Sequence, residues 1–122
     1  MDKLTHYRNT IVKLLQEYYD LTPRRDREDL ARDYLALDKE RDCYLWIRSG
    51  WKDKKRIQHI IIYLRIERNQ IWVEEDSTDL GVVDDLLRAN IPQEDIVLGF
   101  HHPSQRSLTG FGCATENELV CH

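Results

Sequence analysis

Leu4, Tyr7, Ile11, Leu14, Leu15 and Tyr18 recur at steps of three and four residues, which lays one apolar stripe along a helix from about residue 3 to 20. Asp2 stands where a capping side chain belongs, and Thr22-Pro23 stops the helix. From about residue 32 the period becomes two. Leu35 and Leu37 alternate with Tyr34 and Ala36, and Leu45 and Ile47 with Tyr44 and Trp46. A β-branched stretch, Ile57 to Ile66, precedes Ile71-Trp72-Val73, and Asn69 between them suits a tight hairpin turn because Asn tolerates positive φ. Gly50 to Lys55 supplies the turn before that. Connections this short force neighbouring strands to run antiparallel, so the pattern predicts a four-stranded meander.

Ser77-Thr78-Asp79 is placed to cap a second helix, whose buried stripe would be Leu80, Val83, Leu86 and Leu87. Asp79 near its start and Arg88 near its end suit the helix dipole. Asn90 is a tolerable left-handed C-cap and Pro92 prevents continuation. Ile96 to Phe100 reads as a short fifth strand. The expected architecture is α+β: helix, antiparallel meander, helix, strand. One domain over 1–112 is followed by a polar tail over 113–122.

Alternation assigns Leu45, Ile47, Ile60, Ile62, Leu64 and Val73 to one sheet face. Tyr34, Tyr44, Trp46, His59, Ile61, Tyr63 and Trp72 fall on the other. Two short helices do not suffice to cover both faces. Either the C-terminal segment folds over the aromatic face, or another polypeptide docks there, with Tyr44, Trp46, Tyr63 and Trp72 as anchors. A second copy of the chain is one such occupant.

The chain has 122 residues, 41% hydrophobic and 33% charged, which is ordinary for one folded domain. Its longest apolar run, Ile60 to Leu64, is far below the roughly 18–20 residues of a membrane span, and no apolar signal core opens the chain. A cytoplasmic protein is expected. Cys43, Cys113 and Cys121 are odd in number and lack CxxC spacing, which points to reduced thiols. The net charge of −4 is uneven: residues 1–70 hold 16 Lys+Arg and 12 Asp+Glu, and residues 71–122 hold 2 and 10. The acidic back half suits a basic protein partner better than a phosphate backbone.

Candidate chemistry is sparse. His101-His102, with Cys113, Cys121 and His122, matches no metal-ligand spacing, and adjacent histidines in an extended segment point to opposite sides. Cys43 and Cys113 lack the surroundings of a nucleophile. Glu74-Glu75-Asp76, Asp79, Asp84 and Asp85 read as solvated acids. No phosphate-binding loop is present, and no enzyme activity, metal or cofactor is expected. Trp51, Lys52, Lys54, Lys55 and Arg56, diluted by Asp53, form a basic hairpin tip with an aromatic beside it. Stacking readers of nucleic acid use this combination, as do plain soluble turns.

The order of segments resembles the XisI family, the fdxN element excision controlling factors of cyanobacteria. The resemblance runs from Met1 to about Phe111. It is carried by Met1-Asp2-Lys3-Leu4 with His6-Tyr7-Arg8, by Asp42 with Tyr44, by Gly50-Trp51, by Ile71-Trp72-Val73, and by Asp76 and Thr78. Most specific are Ile91-Pro92, Glu94 to His101, Pro103 and Arg106. Asn69-Gln70 replaces a glycine-containing turn, Asn90 replaces a glycine cap, and the chain after Phe111 runs past the family pattern. The resemblance implies a non-enzymatic factor that works with a companion protein, XisH, in controlling a recombinase that excises a DNA element during heterocyst development. It also implies a two-component complex with an XisH-like partner, and suggests an antitoxin-like role, since XisH-like proteins resemble nucleases. A factor contacting DNA directly through residues 51–56 is the alternative.

Overall fold

The computed structural model describes residues 2–23, 30–78, 81–102, 104 and 111–112. Its first helix, α1 (Lys3–Leu21), follows the stripe: Tyr7, Ile11, Leu15 and Tyr18 are buried. Asp2 Oδ1 accepts from Thr5 N at 2.7 Å, which satisfies one of the free amides of the first turn. At the other end Thr22 N donates to Tyr19 O, and Pro23 follows.

Strands β1 (Arg32–Asp38), β2 (Cys43–Lys52), β3 (Lys55–Glu67) and β4 (Gln70–Asp76) form the antiparallel meander. After α2 (Val82–Arg88) and a short 3-10 turn (Gln93–Asp95), β5 (Ile96–Leu98) pairs parallel with β4, giving the order β1-β2-β3-β4-β5. Gly112 bridges Val97 beyond that edge. Arg68 and Asn69 both take positive φ, 56° and 63°, so a two-residue turn joins β3 to β4. β2 and β3 run further than the sequence suggested, down to the pair Lys52–Lys55, which leaves only Asp53 and Lys54 in the turn.

Gly50 permits that extension. Its φ is 148°, and a Cβ there would lie 2.6 Å from Ala31 Cα and 2.7 Å from Leu30 O. Leu30 N donates to Trp51 O at 2.8 Å, so the chain entering β1 lies directly against β2 here. Both obstructing atoms are backbone and have nowhere to yield. Gly50→Ala is expected to lower stability by about 2 kcal/mol or more, read as a fall in the urea midpoint. An unchanged midpoint would show that residues 30–31 do not pack as described.

The second helix differs from the sequence reading. Asp79 and Leu80 lie outside the described residues. Asp76 acts as the anchor instead: its carboxylate accepts from Thr78 N, Thr78 Oγ1 and Val82 N, while Gly81 enters the helix at φ 72°. Val82 and Leu86 are buried, and Leu87 is exposed rather than part of the stripe. Asn90 is the left-handed residue after the helix, at φ 67°.

Both helices pack on one sheet face. Tyr7, Ile11, Leu15, Tyr18, Val82 and Leu86 meet Tyr44, Trp46, Ile62, Leu64, Ile66, Ile71, Val73, Ile96 and Leu98 in one core. This corrects the face assignment. Tyr44 and Trp46, expected as anchors on an open face, are 0% and 4% exposed beneath α1, and Trp46 stacks on Tyr18 with ring centroids 6.5 Å apart. Leu45, Ile47 and Ile60 accordingly face outward. The register shifts between Trp46 and Ile47 and again between Tyr63 and Leu64, so Ile61 is an extra residue turned into the core beside Ile62. Three carboxylates tie α1 down. Tyr7 donates to Asp95, Tyr18 to Asp85, and Arg8 forms a two-pronged pair with Asp42 (2.7 and 3.0 Å), which also accepts from Tyr44.

Candidate functional site

The outer face of the sheet is built row by row from the strand register. Nearest the β2–β3 turn, Trp51 pairs with Arg56, and next Ser49 pairs with both Arg32 and Gln58. The following row is Tyr34–Ile47–Ile60, and after it comes Ala36–Leu45–Tyr63. Towards β5 the face closes: Cys43, Arg65, Trp72 and Val97 form the last row.

Burial divides this face in two. At the β5 end Trp72 is only 1% exposed. The Arg65 guanidinium lies 4.3 Å from its ring centroid and is held by Glu67 and by Glu74 Oε1 at 2.9 Å, while the indole N–H donates to Glu67 O. The anchor role expected of Trp72 is therefore also corrected: its own chain covers it. At the β1 end Tyr34 is 57% and Ile60 40% exposed, with Ile47, Leu45 and Tyr63 half-buried between and beside them. Tyr63 is the one expected anchor that faces outward and keeps some exposure. Its hydroxyl lies 3.8 Å from Cys43 Sγ, and burial raises its pKa. The alternating pattern holds a signal for the Tyr34–Ile47–Ile60 row, since it puts Tyr34 on the aromatic face, but the phase taken for β2 hides Ile47 and the bulge at Ile61 hides Ile60.

The open patch is thus Tyr34, Ala36, Leu45, Ile47, Ile60 and Tyr63. Three strands at about 4.8 Å spacing make it roughly 10 Å wide. That is the scale of the apolar centre of an interface, which a polar rim would complete. Ser49, Arg32 and Gln58 provide such a rim on one side.

The hairpin tip keeps the expected set together. Lys52, Lys54, Lys55 and Arg56 are all exposed, and Trp51 is 46% exposed with Arg56 Cζ 5.3 Å from its ring centroid. The other candidates are dispersed. His101 is half-buried against Phe100, His102 is exposed beside Ser104, and Cys113, Cys121 and His122 lie outside the described residues. Among the described residues no three His, Cys, Asp or Glu side chains converge as metal ligands, and no helix is long and apolar enough to cross a membrane.

Comparison with known proteins accords with this fold. The family model described as XisI protein matches residues 1–113. The crystal structure of the fdxN element excision controlling factor XisI from Anabaena variabilis ATCC 29413 is 56% identical. It superposes with a TM-score of 0.82 over 93% of this chain and 100% of that one. A XisI-like protein from the same strain is 33% identical, with a TM-score of 0.84 over 91% of this chain and 99% of that one. No curated protein matches.

Proposed function

Because this chain belongs to the XisI family, we propose that it is a non-enzymatic controlling factor of DNA-element excision that acts by binding an XisH-like protein through the Tyr34–Ile47–Ile60 side of its sheet. The observation that carries the reading is the division of the outer face. The chain seals Trp72 under its own Arg65 but leaves Tyr34 and Ile60 open in one row. An apolar row flanked by polar residues on a rigid sheet gives a partner a flat, preorganised seat at small entropic cost. The relative's name supports a role in excision control, and the XisH-like partner follows from the family resemblance.

The test is co-purification of the tagged chain with a co-expressed XisH-like protein. Tyr34→Asp and Ile60→Asp place a carboxylate in the proposed seat without touching the core. Each is expected to weaken capture by roughly thirtyfold, the equivalent of about 2 kcal/mol at an interface anchor, with thermal unfolding little changed. Undiminished capture by both variants would remove this face from the model.

A further inference from the structure

We propose that the β2–β3 hairpin tip is a contact site for single-stranded nucleic acid, with Trp51 stacking a base on the outer face while Lys54 in the turn and Lys52 and Lys55 on the opposite face hold the phosphates of the strand as it passes over the tip. Cross-strand partners share a sheet face, so the register puts Trp51 and Arg56 on the outer face and Lys52 and Lys55 together on the opposite one. Lys52 and Lys55 are directly paired like charges, an arrangement that works against the hairpin. Neither forms an ion pair with a described residue, and the same holds for Lys54 in the turn. Residues 51–56 contain four cations and one acid, Asp53, in a chain whose net charge is −4. A polyanion laid along the tip relieves the repulsion, and no other element offers it a comparable cluster of free ammonium groups among the described residues.

The aromatic makes the choice between polyanions. Trp51 is nearly half exposed, and Arg56 covers one side of its ring while bonding back to Gly50 O at 3.3 Å. The cation holds the indole in place, and the exposed part of the ring is available to a planar partner. A duplex offers stacked, paired bases, whereas a single strand offers both a free base face and adjacent phosphates. The footprint is small, about three phosphates, so the contact adds to other binding rather than replacing it.

The experiment uses the whole chain and a labelled oligothymidylate. Trp46 and Trp72 are 4% and 1% exposed, so quenching of tryptophan fluorescence on binding reports Trp51. Binding by anisotropy should weaken roughly twentyfold between about 50 and 200 mM salt, as three single-strand phosphate contacts require. A Lys52→Ala, Lys54→Ala, Lys55→Ala variant should flatten that dependence to about threefold or less. Trp51→Ala should bind at least about fivefold more weakly. These exposed changes should leave the circular dichroism unaltered. The proposal fails if the oligonucleotide does not bind, if the salt response is flat, or if Trp51→Ala binds as wild type. It fails equally if oligoglutamate of matching charge competes as well as the oligonucleotide. None of these measurements involves the XisH-like protein, so they stand or fall apart from the interface proposed above.

Discussion

Raising the pH through and beyond 10 is expected to unfold this domain in one cooperative step, with three of its six tyrosines ionising as the structure is lost. Tyr7, Tyr18 and Tyr44 are 2%, 7% and 0% exposed, and each donates its hydroxyl to a carboxylate: Asp95, Asp85 and Asp42. Burial first, and the adjacent carboxylate second, push all three pKa values well above the ordinary 10. Through these three the folded chain keeps three protons that the unfolded chain releases, and Tyr63, whose pKa burial also raises, acts in the same direction. For a pKa raised on folding, the stability contribution is complete below the unfolded value and is lost as pH climbs towards the folded one. Each tyrosine then removes about 1.4 kcal/mol per pH unit, so the three together remove about 4. One and a half units above 10 consume about 6 kcal/mol, comparable to the whole stability of many domains. The share of phenolate absorbance that comes from these buried tyrosines should rise together with the loss of far-ultraviolet circular dichroism. Tyr18→Phe should remove about a third of the slope of stability against pH that these three tyrosines contribute. A gradual absorbance rise that reaches the full amplitude of all six tyrosines with the fold intact would show that these hydroxyls are not held as described.

Much of the fold was legible because its signals are local. The 4-4-3 spacing of Tyr7, Ile11, Leu15 and Tyr18 marks α1, and the positive φ needed at Asn69 and Asn90 is met by asparagine in both cases. The second cap was not legible in detail. Asp76 lies six residues before the amide it binds, Val82 N, and looks like the last residue of a strand. The sheet faces failed for a geometric reason. A period of two carries no absolute phase, and a bulge reverses it midway, so Ile60 and Ile62 read as one face when Ile61 between them is an inserted residue. Among the candidate residues, the hairpin set is contiguous in sequence and stayed together. The anchor set spans three strands and takes β2 in the wrong phase, and only Tyr63 keeps an outward position with some exposure.

The phase correction yields the sharpest contrast in stability. Trp46→Ala, which an interface reading would treat as harmless to the fold, is expected to cost about 3–5 kcal/mol. The indole fills the space between Tyr18 of α1 and the bulge beside Ile47, so its removal leaves a cavity where helix and sheet meet. Trp46→Phe should be far milder. Trp46 Nε1 is buried without a hydrogen-bond partner among the described residues, and phenylalanine removes that donor while keeping most of the ring contact. Thermal and urea unfolding of the pair should therefore differ by more than 2 kcal/mol. Partner capture separates packing from docking in the same experiment. Trp46→Phe should retain capture, because Trp46 faces α1, whereas the folded Ile60→Asp protein should lose it. Equal stability of Trp46→Ala and wild type would mean that α1 does not sit over Trp46, and the outer face would then have to be assigned afresh.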